Sequence, residues 1–290
     1  MSGPGSENPM APASGDADYI TALVRTHDRP RYYASLFAPA ERRQYLFALY
    51  AMNTEICRIP ASVAEPGLGD IRLQWWQDAI SLADREDGET PVMRALVSAM
   101  RDCRLPGDAL VRLAEAHRSD LYGDPRASLQ DLEAYFGETD SALFQLASLV
   151  LGSDGPQTAK AAGHAGIAHG LANQICTIAS LRRMGRQIAP ADLLEIYDIE
   201  PKAMFANEPP AGFKALLDHL VDLATRHFQD ARSAIHAIPA GCRPAFLPVA
   251  LVPGLLKRAQ RNRQDLWHHP AVMPDLAMLT RIGRAAVFGI

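Results

Sequence analysis

Two pairs of aspartates have the spacing that would let a helix hold a magnesium ion. Carboxylates four residues apart lie on one face of an α-helix, and hard oxygens are the ligands that Mg²⁺ prefers. One pair is Asp120 and Asp124, and the other is Asp218 and Asp222. Gly123 is a typical helix end inside the first pair, and the second pair lies in an amphipathic segment. A solvated helix face is therefore the simpler interpretation of both pairs.

Two further groups of charged side chains could take part in binding. Glu55 is a lone charge in an apolar segment, which favours a structural ion pair with Arg58 or Arg182. Arg182, Arg183 and Arg186 form a basic stretch that could receive an anionic lipid or a partner, with a solvated basic turn as an equal alternative. The sequence has no phosphate-binding glycine loop and no G-x-S-x-G nucleophile elbow.

One uncharged stretch, Ala161–Leu181, is long enough to span a bilayer. It contains His164, His169, Asn173 and Gln174, which are unfavourable in hydrocarbon, so a buried helix of a soluble bundle is expected and no transmembrane segment. The two histidines are five residues apart, which does not match a helical metal face. They are predicted to be hydrogen-bonded core or rim residues.

Composition narrows the class of protein. The 290 residues carry a net charge of −4, which gives no electrostatic reason to expect a nucleic-acid partner. The four cysteines show no zinc-type spacing and are far apart, so a reducing compartment is expected. Residues 1–18 are rich in Gly, Pro, Ser and Ala and are predicted to be a disordered tail without a targeting signal. Residues 19–290 are predicted to form one domain.

The apolar residues recur at helical spacing nearly throughout, and no alternating strand is found, so we predict an all-α domain of roughly ten helices. Asp70 is predicted to cap a helix after a break at Gly67–Gly69. Ser128 and Asp131 have capping-box spacing. Pro244–Asp265 is predicted to be the last main helix.

Five segments resemble, in the same order, parts of squalene and phytoene synthases. They are Tyr33–Arg43, Phe47–Asn53, Arg72–Gln77, Arg182–Pro190 and a helix beginning near Phe246. The resemblance covers about Tyr32 to Asp265. It implies a head-to-head prenyl synthase-like helical bundle around a central cavity. In that family two aspartate-rich motifs hold magnesium ions, which neutralise the diphosphate leaving group.

At the four positions of those aspartates this chain carries Cys57, Ala61, Thr177 and Leu181. One neutral hydroxyl and one soft thiol cannot replace a cage of hard oxygens. The resemblance therefore implies no catalytic residue, no metal site and no cofactor. Magnesium would be a cofactor only in an active prenyl transferase with relocated acids, such as the second aspartate pair above.

The resemblance also implies a set of cavity-lining, substrate-binding residues. They are Tyr33, Tyr50, Asn53, Asn173, Arg182 and Arg183. For the tyrosines, filling of an aromatic core is an equal alternative.

Met52–Ile56, Arg72–Trp76 and Tyr135–Leu143 are most similar to one branch of the family. That branch contains the mitochondrial complex I assembly factor related to phytoene synthases and its bacterial relatives. It implies a bacterial, non-catalytic assembly or binding protein in the cytoplasm, peripheral to the inner membrane. The expected partner is a respiratory complex I subunit or another membrane-complex client. The alternatives are an active prenyl transferase and a carrier for an isoprenoid or anionic lipid.

Overall fold

The computed structural model describes residues 14–83, 85, 87–123 and 125–290, and this part of the chain is helical without a β-strand. The α-helices are α1 (Ser14–His27), α2 (Arg29–Ser35), α3 (Ala40–Ser62), α4 (Pro66–Ser81), α5 (Pro91–Cys103), α6 (Gly107–Ala116), α7 (Ser119–Tyr122), α8 (Leu129–Phe136), α9 (Ala142–Val150), α10 (Pro156–Cys176), α11 (Ile178–Arg183), α12 (Ala191–Ile196), α13 (Phe213–Ile235), α14 (Val252–Arg261) and α15 (Asp275–Phe288). A π-helical turn (Gly137–Ser141) joins α8 to α9, and the 3₁₀ segments are Pro201–Phe205, Ala240–Leu251 and Asp265–Trp267. The predicted all-α fold is confirmed.

The capping box at the start of α8 forms as predicted. The Ser128 hydroxyl accepts a hydrogen bond from the Asp131 amide at 3.2 Å, and the Asp131 carboxylate accepts one from the Ser128 amide at 3.0 Å. Two amides that a helix start would otherwise leave unpaired are thereby satisfied.

The predicted cap at Asp70 is wrong, because α4 begins four residues earlier at Pro66. Proline suits the first turn of a helix, and the absence of a side chain at Gly69 lets Leu121 pack against the α4 backbone. Asp70 accepts hydrogen bonds from Arg118 at 2.6 Å and from Tyr122.

The disordered tail predicted for residues 1–18 includes residues that are helical in the structure. α1 begins at Ser14, and Asp16 forms a 2.8 Å ion pair with Arg94 of α5. Residues 1–13 lie outside the described part, so a disordered tail there stays a prediction.

The predicted helix Pro244–Asp265 is also wrong as a single element. Pro244 and Pro248 cannot donate the hydrogen bonds of an α-helix, and the chain there is 3₁₀-helical before α14 begins at Val252. The sequence prediction missed α15.

Most of the candidate site residues lie on or next to two helices, α3 and α10. The Leu46–Met52 stretch of α3 is buried on all sides, and α10 uses Gly166 and Gly170 to approach Ser141 and Phe136 closely. The two helices make almost no direct contact, whereas α9 packs against both. No helix within the described ranges has the length and apolar character needed to cross a bilayer.

Candidate functional site

The four motif positions lie where α3 and α10 reach the surface. Cys57, Ala61 and Thr177 are exposed, and Leu181 is half-buried. α10 ends at Cys176, and the Thr177 hydroxyl donates to the carbonyl of the preceding turn at 2.8 Å. These positions therefore present a sulfur, a methyl, a hydroxyl already in use and an aliphatic side chain.

Below these ends, a buried arginine lies among α2, α3, α9 and the π-helical turn. Arg31 is 7% exposed and donates to Asp28 at 3.0 Å and to Asp140 at 3.2 Å. Its guanidinium carbon lies 5.8 Å from the ring centre of Tyr50 and 5.6 Å from that of Phe144. The cation is thus paired twice and flanked by two aromatic faces, a desolvated arrangement that strengthens both interactions.

The same carboxylate connects Arg31 to α10. The Nδ1 atom of His169 lies 2.8 Å from Asp140 Oδ1, and the ring packs edge-on against Phe144. The Asn173 amide nitrogen lies 3.1 Å from His169 Nδ1. His169 is buried and hydrogen-bonded, as predicted from its spacing. We call Arg31, Asp28, Asp140 and His169 the deep cluster.

Protonation states in the deep cluster follow from this pairing. Burial alone would raise the pKa of Asp140, but the hydrogen bond from His169 and the charge of Arg31 outweigh it and lower that pKa below its ordinary value. Burial raises the pKa of the Tyr50 hydroxyl. Asp140 therefore remains an anion, already paired with Arg31 and hydrogen-bonded to His169.

A second polar cluster joins the exposed end of α3 to the turn between α6 and α7. Cys57 Sγ lies 3.6 Å from His117 Nε2, and His117 Nδ1 lies 2.9 Å from Asp120 Oδ2. His117 and Asp120 are buried, while Cys57 is exposed. The Asp120 carboxylate can only accept a hydrogen bond, so Nδ1 of His117 is the donor to it. The other ring nitrogen, Nε2, faces the sulfur. We call these three residues the mouth cluster.

Asp120 is held in place from several sides. The Tyr135 hydroxyl donates to it at 2.7 Å, Arg186 donates to its other oxygen, and Arg126 lies 3.7 Å from that oxygen. Arg126 also stacks over the Tyr135 ring, with 3.7 Å between guanidinium carbon and ring centre. The buried carboxylate is therefore fully paired, as a charge in this position must be.

The mouth cluster has strongly shifted pKa values. Burial disfavours the imidazolium form of His117, yet its electrostatic and hydrogen-bonding interactions with Cys57 and Asp120 outweigh burial and raise its pKa to about 10. Burial opposes ionisation of Asp120, but hydrogen bonding from His117 and the charge of Arg186 lower its pKa. Burial and the neighbouring Asp120 charge raise the pKa of Tyr135 well above its ordinary value.

The structure brings some of the predicted lining residues together. Tyr50 borders the deep cluster, Asn173 contacts it through His169, and Asn53 is buried one helical turn before Cys57. Tyr33 is half-buried and packs edge-on against Tyr32.

Arg182 and Arg183 do not join this group. Arg182 donates to the backbone carbonyls of Met204, Trp267 and Ala206 and stacks on the Trp267 ring at 3.5 Å. Arg183 donates to the carbonyl of His268 at 3.1 Å. Both hold later segments of the chain in place, so their contacts do not support the predicted role in the cavity.

The predicted ion pair of Glu55 with Arg182 is wrong, since Arg182 is occupied elsewhere. Among the described residues Glu55 forms no ion pair, and its nearest partner is the Tyr19 hydroxyl at 3.5 Å. Burial raises the pKa of Glu55, while the Tyr19 hydrogen bond and the charge of Arg58 oppose that rise. Glu55 borders a groove with Trp75 on the α4 side of α3.

The aspartate pairs give no metal site in the part of the chain that the structure describes. Asp218 forms a 2.6 Å ion pair with Arg263, and Asp222 is exposed. Asp120 is occupied as described above, and Asp124 lies outside the described residues. No group of three or more potential ligands with metal-site geometry occurs in the described ranges.

The side chains at the motif positions do not fit the magnesium ions of the resembled enzymes. Mg²⁺ requires hard oxygen ligands in near-octahedral geometry. The nearest carboxylates in the two clusters, Asp120 and Asp140, are each bound by a guanidinium and an imidazole. No reaction step through a metal is derived from this donor set.

Sequence reasoning missed four residues of these clusters, namely Arg31, Asp28, Asp140 and His117. The i, i+3 spacing of His117 and Asp120 could have indicated their contact. Cys57 is 60 residues away from His117 along the chain, and no local pattern predicts that the two side chains meet.

Comparisons with known proteins agree with the architecture. A sequence model of the family described as squalene/phytoene synthase matches residues 24–277. NADH dehydrogenase (ubiquinone) complex I, assembly factor 6 from Bos taurus is 28% identical over 257 residues, covering 88% of this chain and 77% of that protein. A phytoene synthase from Rhodobacter capsulatus is 24% identical over 245 residues, covering 81% and 70% of the two chains.

Solved structures show the same fold. Squalene synthase HpnC from Alicyclobacillus acidocaldarius superposes with a TM-score of 0.76 at 22% identity, covering 88% of this chain and 95% of that one. A dehydrosqualene synthase solved with a ligand gives a TM-score of 0.78 at 14% identity, with 93% and 95% covered.

Proposed function

The chain belongs to the squalene/phytoene synthase family, and we propose that within it the chain is a pseudoenzyme that assembles or binds a client rather than joining prenyl diphosphates. The observation that carries the proposal is the set of side chains at the four motif positions, Cys57, Ala61, Thr177 and Leu181. Without hard oxygens there, the diphosphate leaving group would not be neutralised and ionisation would not begin.

The nearby acids do not offer a substitute. Taking Asp140 for a metal would leave Arg31 buried without one of its two carboxylates, and taking Asp120 would leave Arg186 and His117 without theirs. An uncompensated buried charge is strongly destabilising. This pairing supports a structural role for both carboxylates.

The names of the relatives supply the class of client. Complex I assembly factor 6 proteins from several animals match most of this chain. We propose a respiratory complex I subunit, or a subunit of another membrane complex, as the partner. The site of action would be the cytoplasmic side of the inner membrane of a bacterium, with the protein bound peripherally.

Deletion of the gene in its source organism tests this role. We expect less assembled complex I on a native gel, normal isoprenoid levels, and recovery when the full chain is supplied from a plasmid but not from the empty plasmid. Normal complex I together with altered isoprenoid levels would instead support the prenyl transferase alternative.

A second experiment tests the chemistry directly. Purified full-length protein is incubated with magnesium and farnesyl or geranylgeranyl diphosphate, and no coupled product is expected. Turnover near the lower range of typical enzymes, about 1 per second, would overturn the proposal. An isoprenoid or anionic lipid that co-purifies stoichiometrically, detected by mass spectrometry, would support the carrier alternative.

A further inference from the structure

We propose that Cys57, His117 and Asp120 form a thiol–imidazole–carboxylate triad in which Cys57 is a nucleophile for small peroxides. This inference is independent of the proposed assembly role. It rests on the 3.6 Å approach of sulfur to His117 Nε2, on the 2.9 Å contact of His117 with Asp120, and on the exposure of the sulfur.

The three residues have the relations that nucleophilic catalysis needs. A nucleophile must lie within reach of a base, and a third group must orient that base. His117 is buried and cannot turn freely, since Asp120 accepts from its Nδ1 while Tyr135 and Arg186 fix Asp120. Within the described part of the chain, the charged or titratable groups that hold the pair are Asp120, Tyr135, Arg126 and Arg186. The raised pKa of His117 keeps a proton on its imidazole near neutral pH, beside the Cys57 sulfur.

The other cysteines lack these relations. Burial raises the pKa of Cys103, which is half-buried 3.5 Å from an Arg42 nitrogen. Burial raises the pKa of Cys176 to about 12 and also raises that of Cys242. Cys57 is exposed, whereas Cys176 and Cys242 are buried.

The surroundings favour a peroxide over an acyl substrate or an anion. Acyl transfer needs hydrogen-bond donors aimed at a developing oxyanion, and the guanidiniums of Arg126 and Arg186 are directed at Asp120. Reduction of a peroxide needs only a thiolate and a proton donor for the departing oxygen. The mouth cluster contains both.

The step balances with hydrogen peroxide as the oxidant. The Cys57 thiolate attacks one peroxide oxygen, so that an S–O bond forms and the O–O bond breaks. The departing hydroxide takes the Nε2 proton of His117 and leaves as water. Sulfur is oxidised by two electrons to a sulfenic acid, the peroxide is reduced, and His117 is left neutral.

Dimedone trapping with peptide mass spectrometry tests the proposal on the full-length protein. After brief exposure to hydrogen peroxide at neutral pH, we expect the dimedone adduct on Cys57 to form at least tenfold faster than on Cys103, the internal control. His117→Gln should slow the Cys57 reaction by about 100-fold, the lower range for general acid–base catalysis. Labelling of Cys57 no faster than Cys103, or an unchanged rate in His117→Gln, would overturn the proposal.

Asp120 acts through His117 and is a positioning residue, so its variant needs a separate readout. In Asp120→Asn the triad predicts slower labelling of Cys57 with no increase at buried Cys176. A merely structural role predicts the opposite, faster labelling of Cys176 as the fold loosens. If both variants unfold, the wild-type ratio of Cys57 to Cys103 labelling still decides the question.

Discussion

The deep cluster and the mouth cluster each bring an aspartate against a buried histidine, yet they differ in what they leave free. In the deep cluster Arg31 pairs with Asp28 and Asp140, and His169 contacts Asp140, so every charged side chain there has a partner. In the mouth cluster the buried ends are paired in the same way, but Cys57 remains exposed. The comparison separates polar residues that stabilise the bundle from polar residues arranged for reaction.

The first test of this difference removes Arg31, the central cation of the deep cluster. Arg31→Ala leaves the largely buried Asp28 without its cation, and Asp140 with only His169 beside it. We expect a loss of about 3–5 kcal/mol in the free energy of unfolding, because an unpaired buried charge remains. Urea denaturation followed by circular dichroism measures it.

The matched control is Arg29→Ala on the same helix. Arg29 pairs with Asp275 while both side chains are 50% exposed, and such surface pairs contribute about 0–1 kcal/mol. Equal effects of the two substitutions would show that burial does not distinguish the deep cluster.

The second test is to push α10 away from the π-helical turn that carries Asp140. A Cβ atom at Gly166 would collide with the backbone of Ser141, so Gly166→Ala should destabilise by about 1–3 kcal/mol. Gly163→Ala on the same helix is the control, because nothing lies near its added methyl group, and a gain of up to about 1 kcal/mol is expected there. A neutral Gly166→Ala would show that α10 and the turn can separate freely.

The features that the sequence predicted are local ones, and those it missed join distant residues. The capping box of α8 lies within four consecutive residues, and the burial of α3 follows from its unbroken apolar run. Arg31 and Asp140 are 109 residues apart, and neither periodicity nor propensity encodes that distance. Arg182 stays a predicted binding residue, but its carbonyl partners lie in segments 22 to 85 residues later, which no local pattern encodes.

The third prediction concerns the pH dependence of stability that His117 of the mouth cluster should cause. The folded-state pKa of His117, about 10, lies above its ordinary value of 6.5. Its contribution to stability is therefore fully present below about pH 6.5 and is lost as pH rises through 10. We expect a decline of about 1.5–3 kcal/mol across this range, the size of one hydrogen bond to a charged group. Urea unfolding at several pH values measures it, and His117→Gln should remove the decline.

The substitution with the smallest expected effect on stability tests most directly whether the mouth cluster differs from the deep cluster. Cys57→Ser changes an exposed side chain with one polar contact, at 3.6 Å, so the free energy of unfolding should shift by less than about 0.5 kcal/mol. Cys176→Ser is the matched control, because a hydroxyl would replace a buried thiol there and should destabilise by about 1–3 kcal/mol. A large loss from Cys57→Ser would mean that its sulfur stabilises the bundle as Arg31 does, and the distinction between the two clusters would no longer hold.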